Sequence, residues 1–184
     1  MDQILKDRIK SLNWRLFEDD VLYKNHAMVP NFVFPYTPKD EFWIDQEVKK
    51  IIKITSNTSN KIIEINLLEL FVMVYDKKIE RVKKIARDGG VDKLIKLTSP
   101  QLKDSDTIVS KIAELSEGYA SIIITGVGAA YPMIHVTNLL KRFPAIGFNK
   151  PILVFYPGSF NGLQLKLFDR FEAVENEYQI NKIA

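Results

Sequence analysis

The sequence predicts an α/β fold: a single three-layer domain over residues 1–184, with a mostly parallel sheet of four or five strands and a helical lead-in at 1–27. Three observations carry this. Short runs rich in Ile, Val and Phe recur at 29–36, 61–67, 120–125 and 151–156. The stretches between them place apolar residues at helical spacing. The last two runs, Ser121-Ile-Ile-Ile-Thr125 and Ile152-Leu-Val-Phe-Tyr156, are apolar without alternation and end in Gly or Pro, as strands covered on both faces do.

Residues 2–25 read as a helix with Ile4, Ile9, Leu12, Leu16 and Phe17 on one face. Val29–Tyr36 reads as a strand, with Pro30 tolerable only at its start or edge. Thr37-Pro-Lys-Asp-Glu41 is a helix entry, proline in the first turn followed by acids at the positive end of the dipole. That helix runs to Thr55 with Phe42, Ile44, Val48, Ile51 and Ile52 as its buried face. Ser56–Asn60 is a polar turn, Lys61–Leu67 the second strand, and 68–88 a helix stopped by Gly89-Gly90. Short helices fill 91–117, punctuated by Pro100, with a cap region at Asp104–Asp106. Strand three spans 120–125, a helix spans 131–143, and strand four spans 151–156 before the loop Pro157–Gly162.

Bulk composition excludes several classes of protein. The 184 residues are 46% hydrophobic and 27% charged, with a net charge of +3. That excess falls short of an autonomous nucleic-acid binder, although a local patch is permitted. The absence of cysteine removes disulfides, thiolate metal sites and cysteine nucleophiles. Met1–Arg8 lacks an apolar signal core, and no apolar run approaches membrane-spanning length, so a cytoplasmic protein with no membrane contact is expected.

Candidate sites concentrate where the strands end, because ligands and partners of open α/β sheets gather at the carboxyl ends of the strands. Gly126-Val-Gly128 stands between a strand and a helix as a dinucleotide fingerprint would, but Tyr131 occupies the third glycine position and no acid follows the next strand. The glycines therefore read better as a tight turn with close backbone approach. No phosphate-loop motif occurs. His135 has no carboxylate at helical spacing and reads as a satisfied, partly buried histidine, while His26 reads as solvated. Glu64 and Glu69 flank the end of the second strand and read as solvated or capping. Thr125 and Ser159 lie near the edge outside any nucleophile-elbow pattern. No metal site and no cofactor is expected.

Two surfaces remain. Phe34, Pro35, Tyr36, Gly126, Gly128, Tyr131, Pro132, Tyr156, Pro157, Gly158 and Phe160 fall at one end of the sheet, and their aromatic, charge-poor character suits a partner-binding surface as well as it suits internal packing. Lys77, Lys78, Arg81, Lys83, Lys84 and Arg87 form a basic stretch that suits phosphate contact, with Asp76, Glu80 and Asp88 among them.

Taken in order, Val29-Pro-Asn-Phe-Val-Phe-Pro-Tyr36, Ile63-Glu-Ile-Asn-Leu67, Thr125-Gly-Val-Gly-Ala-Ala-Tyr-Pro132 and Leu153-Val-Phe-Tyr-Pro-Gly158 resemble the BrxB family of the bacteriophage exclusion (BREX) systems of bacteria and archaea. Leu165-Lys-Leu-Phe168 and the Tyr178–Ile183 tail are similar too, so the resemblance runs from about residue 28 to the end. Its weight lies in the order and spacing of the motifs, and the Lys-rich middle at 70–117 departs most from the family. The resemblance implies a small non-catalytic subunit of a multi-protein anti-phage system. Such systems include a PglZ-like protein of the alkaline-phosphatase superfamily, a DNA methyltransferase and a large ATPase; they modify host DNA and block unmodified phage. It also implies a P-loop-like sheet without a phosphate loop, and it carries over no catalytic residue. The resulting expectation is an adaptor that binds a partner protein through the strand-end edge, with nucleic-acid contact indirect and homo-oligomerisation open. A nucleic-acid-binding subunit using 77–87 and a nucleotide-binding enzyme at Gly126–Gly128 are the alternatives.

Overall fold

The computed structural model describes residues 3–18, 20–23, 31–76, 79–103, 105–172 and 179–184. Its centre is a sheet in the order β2 (Ile62–Asn66), β3 (Ser121–Thr125), β4 (Ile152–Phe160), β1 (Asn31–Tyr36) and β7 (Asn181–Lys182), parallel along its whole path. Helices cover both faces, so the expected α/β class holds. Three strands were not among the four read from the sequence: β7, and β5 (Leu165–Leu167) and β6 (Phe171–Glu172), which extend the sheet antiparallel from the end of β4.

Side-chain alternation along each strand divides the apolar residues between two cores. Phe32, Phe34 and Tyr36 of β1, Ile123 of β3, and Leu153 and Phe155 of β4 pack under α1 (Gln3–Phe17) and α2 (Glu41–Thr55). Val33, Ile122, Ile124, Ile152, Val154 and Tyr156 face the opposite way. They meet α3 (Leu67–Val74), α5 (Ser105–Leu115), α6 (Val127–Ala130) and α7 (Val136–Arg142). In α1 the buried residues are Leu5, Ile9, Leu12 and Leu16, so Leu5 takes the place expected of Ile4, which is exposed. In α2 the buried stripe is Ile44, Val48, Ile51 and Thr55. Phe42, expected in the core, is 65% exposed, because its position falls nearly opposite that stripe.

Several boundaries move for local reasons. Helix α1 ends at Phe17, while Val29, Pro30 and His26 lie outside the described residues. The expected 68–88 helix is two helices: α3 stops at Val74, where Tyr75 leaves helical geometry (φ −100, ψ 10), and α4 (Ile79–Lys103) follows. Helix α4 is itself broken at Gly90 (φ 69, ψ −178), where the glycine pair marked a stop. Pro100 lies inside the last turn of α4 and does not separate helices. The helix expected from Tyr131 begins only at Val136, since the residue before a proline is pushed to extended geometry and Tyr131 adopts φ −69, ψ 139. The Tyr131–Pro132 peptide bond is cis. Strand β4 does not stop at Tyr156: it runs through Pro157 and Gly158 to Phe160, and Gly158 pairs with Leu167.

Candidate functional site

The carboxyl ends of β1, β2, β3 and the parallel half of β4 lie along one edge of the sheet. At the end of β1, Phe34, Pro35 and Tyr36 are buried. Phe34 packs on Phe155 with ring centroids 5.4 Å apart, and the Arg8 guanidinium sits 4.5 Å from the Phe34 centroid on its way to the Pro35 carbonyl. The Tyr36 hydroxyl donates to Glu41 Oε2 at 2.5 Å. Burial, and then that carboxylate, push the Tyr36 phenol far above its ordinary range, so it remains a donor. A phosphate loop would follow β1 in a P-loop protein. Here Thr37-Pro-Lys-Asp-Glu41 follows, and its two acids disfavour an anion.

At the ends of β2 and β3, Thr125 Oγ1 donates to Glu64 Oε1 at 2.6 Å. Asn66 caps α3, its Oδ1 accepting from the amides of Leu68 (3.0 Å) and Glu69 (3.3 Å). Gly126 turns the chain at φ 66 directly against that side chain. A Cβ on Gly128 would stand 2.7 Å from the Phe168 ring. The Gly-Val-Gly segment is thus a tight turn packed on protein atoms, as its departures from the dinucleotide fingerprint indicated. Ser159, read as a weak nucleophile candidate, is an exposed strand residue opposite Lys166.

The eleven strand-end residues therefore divide. Phe34, Pro35, Tyr36, Gly126, Tyr156, Pro157 and Gly158 are buried, whereas Gly128, Tyr131, Pro132 and Phe160 are partly exposed. Tyr131 and Tyr156 also line a cleft of about 360 Å³ between α7 and the β5–β6 pair, together with His135, Thr137, Asn138, Lys141, Phe171 and Glu172. Tyr131 is the hub of a row of rings, with His135 edge-on at 5.2 Å and Phe171 tilted at 5.2 Å. His135 is exposed rather than partly buried as expected; desolvation of the side of the ring that packs on Tyr131 lowers its pKa below the ordinary 6.5, and a hydrogen bond with the Pro132 backbone opposes that only in part. Thr137 and Asn138 come from α7 and Phe171 from β6, with no local motif joining them, and sequence reasoning missed all three.

The basic stretch is only partly described. Lys77 and Lys78 lie outside the described residues, as does the side chain of Arg81. Lys83, Lys84 and Arg87 are exposed on α4, but Glu80 and Asp88 are exposed there with them, and Lys83 pairs with Glu80 at 2.8 Å. Among the described residues no cluster of three or more His, Asp or Glu could hold a metal ion, and no helix is long and apolar enough to cross a membrane.

Comparison with known proteins adds the family. The profile of the BREX protein BrxB family matches residues 63–183. The chain belongs to this family. A BREX protein BrxB of Bacillus cereus (strain H3081.97) is 25% identical over 143 residues, covering 74% of this chain and 74% of the relative. Another, from Escherichia coli O9:H4 (strain HS), is 24% identical over 172 residues, covering 90% of this chain and 84% of the relative. The BrxB match takes in the Gly126–Pro132 turn, the whole of β4 and the β5–β6 pair, and so every residue that lines the cleft. No solved structure matches.

Proposed function

We propose that this BrxB-family chain is a non-catalytic adaptor in a BREX phage-defence system, binding a partner protein through the carboxyl edge of its sheet. The observation that carries this reading is the partly exposed Tyr131–Pro132 corner, stacked on Phe171, which is 44% exposed. Aromatic side chains in that half-open state are what interface centres use. The polar contacts at the edge support binding over catalysis, because among the described residues the Thr125–Glu64 and Tyr36–Glu41 pairs have no third side chain hydrogen-bonded to the carboxylate to orient it. Tyr156 packs in the same core as Tyr131 and Phe160 and lines the same cleft as Tyr131, whereas Phe34 and Tyr36 pack in the opposite core and serve the edge only through the sheet. The PglZ-like protein, the DNA methyltransferase and the large ATPase are the partner classes.

The test is affinity purification of the tagged chain from its native host at low and high salt, beside Tyr131→Asp and Phe160→Asp variants. Co-purification of another BREX component that survives high salt and is lost in a folded variant is the expected result. Capture of no such component, or capture indifferent to both substitutions, overturns the reading.

A further inference from the structure

The cleft between α7 and the β5–β6 pair has features that a protein-docking edge does not need. It is concave, and its volume of about 360 Å³ falls in the range of small-ligand sites. It opens at the carboxyl edge of the sheet, where α/β folds bind ligands. One wall is the ring row His135–Tyr131–Phe171. Facing groups come from the first turn of α7, the partly buried Thr137 and the exposed Asn138. Among the described residues neither the Thr137 hydroxyl nor the Asn138 amide hydrogen-bonds to another side chain. Both groups can donate and accept. Among the described residues, Lys141, which has an interaction of its own, brings a positive charge to the cleft, and the one acid lining it, Glu172, is paired with Lys166 at 3.3 Å.

We infer that this cleft binds a nucleobase, stacked on Phe171 and Tyr131 and read at its edge by Thr137 and Asn138, with the attached phosphate toward Lys141. Stacking on aromatic side chains is sequence-tolerant, because every base has a π-face, and the mixed donor–acceptor pair at the far side supplies discrimination. The base has two chemical sources, a free mononucleotide or an unstacked base of a single strand. Neither source requires a phosphate loop. The inference shares the Tyr131 and Phe171 rings with the adaptor reading, whereas Thr137 and Asn138 belong to the base site alone.

The experiment is equilibrium titration of the full chain, followed by NMR or calorimetry, with adenosine, guanosine, cytidine and thymidine monophosphates and with short single-stranded oligonucleotides. Inorganic phosphate serves as the control. Saturable binding of at least one base is expected, weakened roughly tenfold or more by Phe171→Ala and also weakened by Asn138→Leu, with thermal midpoints showing both variants folded. Equal affinity for the mononucleotide and the oligonucleotide identifies the free nucleotide as the source. Binding only by the oligonucleotide identifies a strand. Absence of saturable binding by every probe, binding that survives both substitutions, or binding that phosphate alone reproduces overturns the inference. Partner capture by Asn138→Leu, measured in parallel, separates failure of the base site from failure of the docking edge.

Discussion

Asn66 Oδ1 lies 2.4 Å from the place a Cβ on Gly126 would occupy, while the same oxygen caps α3 through the amides of Leu68 and Glu69. One side chain thus couples the end of β2, the start of α3 and the turn leaving β3. It also explains why a residue without a side chain is needed at a left-handed position whose φ is 66.

Gly126→Ala is expected to destabilise the protein by about 2–4 kcal/mol, combining the left-handed backbone with displacement of the cap. Asn66→Ala is expected to cost about 1 kcal/mol through the lost cap alone. The double variant should cost less than the two single costs together, because the clash disappears with the Asn66 side chain. Urea unfolding of the four proteins checks this, and strict additivity would refute the coupling.

Tyr36 and Glu41 give a prediction at alkaline pH. The phenol is buried and donates to Glu41 at 2.5 Å, and its pKa is raised far above the ordinary 10.0. Above pH 10 the unfolded chain loses the proton and the folded chain keeps it, so stability present below that pH declines as pH rises. Tyr23 and Tyr75 are raised as well, first by burial in both cases, so the comparison must be with Tyr36→Phe. That variant should lose about 2 kcal/mol at neutral pH, the worth of a hydrogen bond to a carboxylate, and should show a shallower alkaline decline. Identical alkaline slopes in denaturant titrations would count against the assignment.

The strands were legible because their β-branched runs are buried on both faces, which leaves no other reading of Ile122-Ile-Ile124 or Ile152-Leu-Val154. What the sequence concealed was decided by distant partners. Pro157-Gly158 reads as a stop. The strand nevertheless continues, because Gly158 at φ 153 passes close to the Lys166 carbonyl, where a Cβ would come within 2.1 Å. Phe42 and Ile44 are close in sequence and equally apolar, yet only Ile44 meets the sheet. Phe34 and Tyr36 lie where β1 ends and Tyr131 follows β3, whereas Tyr156 lies inside β4, which runs on to Phe160. Whether each faces solvent depended on the β5–β6 pair, whose Phe168 turn covers Gly128, and on Arg8 covering Phe34. The cleft assembles Tyr131, Asn138 and Phe171 from three elements, a juxtaposition with no local spacing to betray it.

Arg8 joins α1 to the end of the sheet: its guanidinium covers Phe34 and donates to the carbonyls of Pro35 (2.5 Å) and Ala184 (3.1 Å). Next to it, the Ile183 amide donates to Val33 at 3.1 Å, which holds the tail as β7. Both bonds come from Nη2, and a lysine ammonium that reached the same carbonyls would lack the planar guanidinium that lies over the Phe34 ring. Arg8→Lys is therefore expected to cost about 1–2 kcal/mol and to speed hydrogen exchange at Ile183 more than at Ile123 in the central strand. Uniform acceleration at both amides would show that Arg8 adds only global stability.

His135 makes stability depend on pH in the opposite sense to Tyr36. Desolvation of its packed side holds its pKa below the ordinary 6.5 although the residue is exposed, and the hydrogen bond with the Pro132 backbone opposes that shift without cancelling it. As pH falls through 6.5 the unfolded chain takes up the proton before the folded chain does. The unfolded state then binds more protons, and stability declines toward lower pH until the folded imidazole is protonated as well. Tyr131 meets the ring at 5.2 Å, and Lys141 and Glu172 line the same cleft with opposite charges. His135→Gln removes the titration and keeps a donor. Urea unfolding of both proteins at pH 7.5 and about pH 5.5 should show the parent losing more stability than the variant over that interval. Parallel losses would mean that carboxylates elsewhere account for the acid sensitivity and that the imidazole is as easily protonated in the fold as in water.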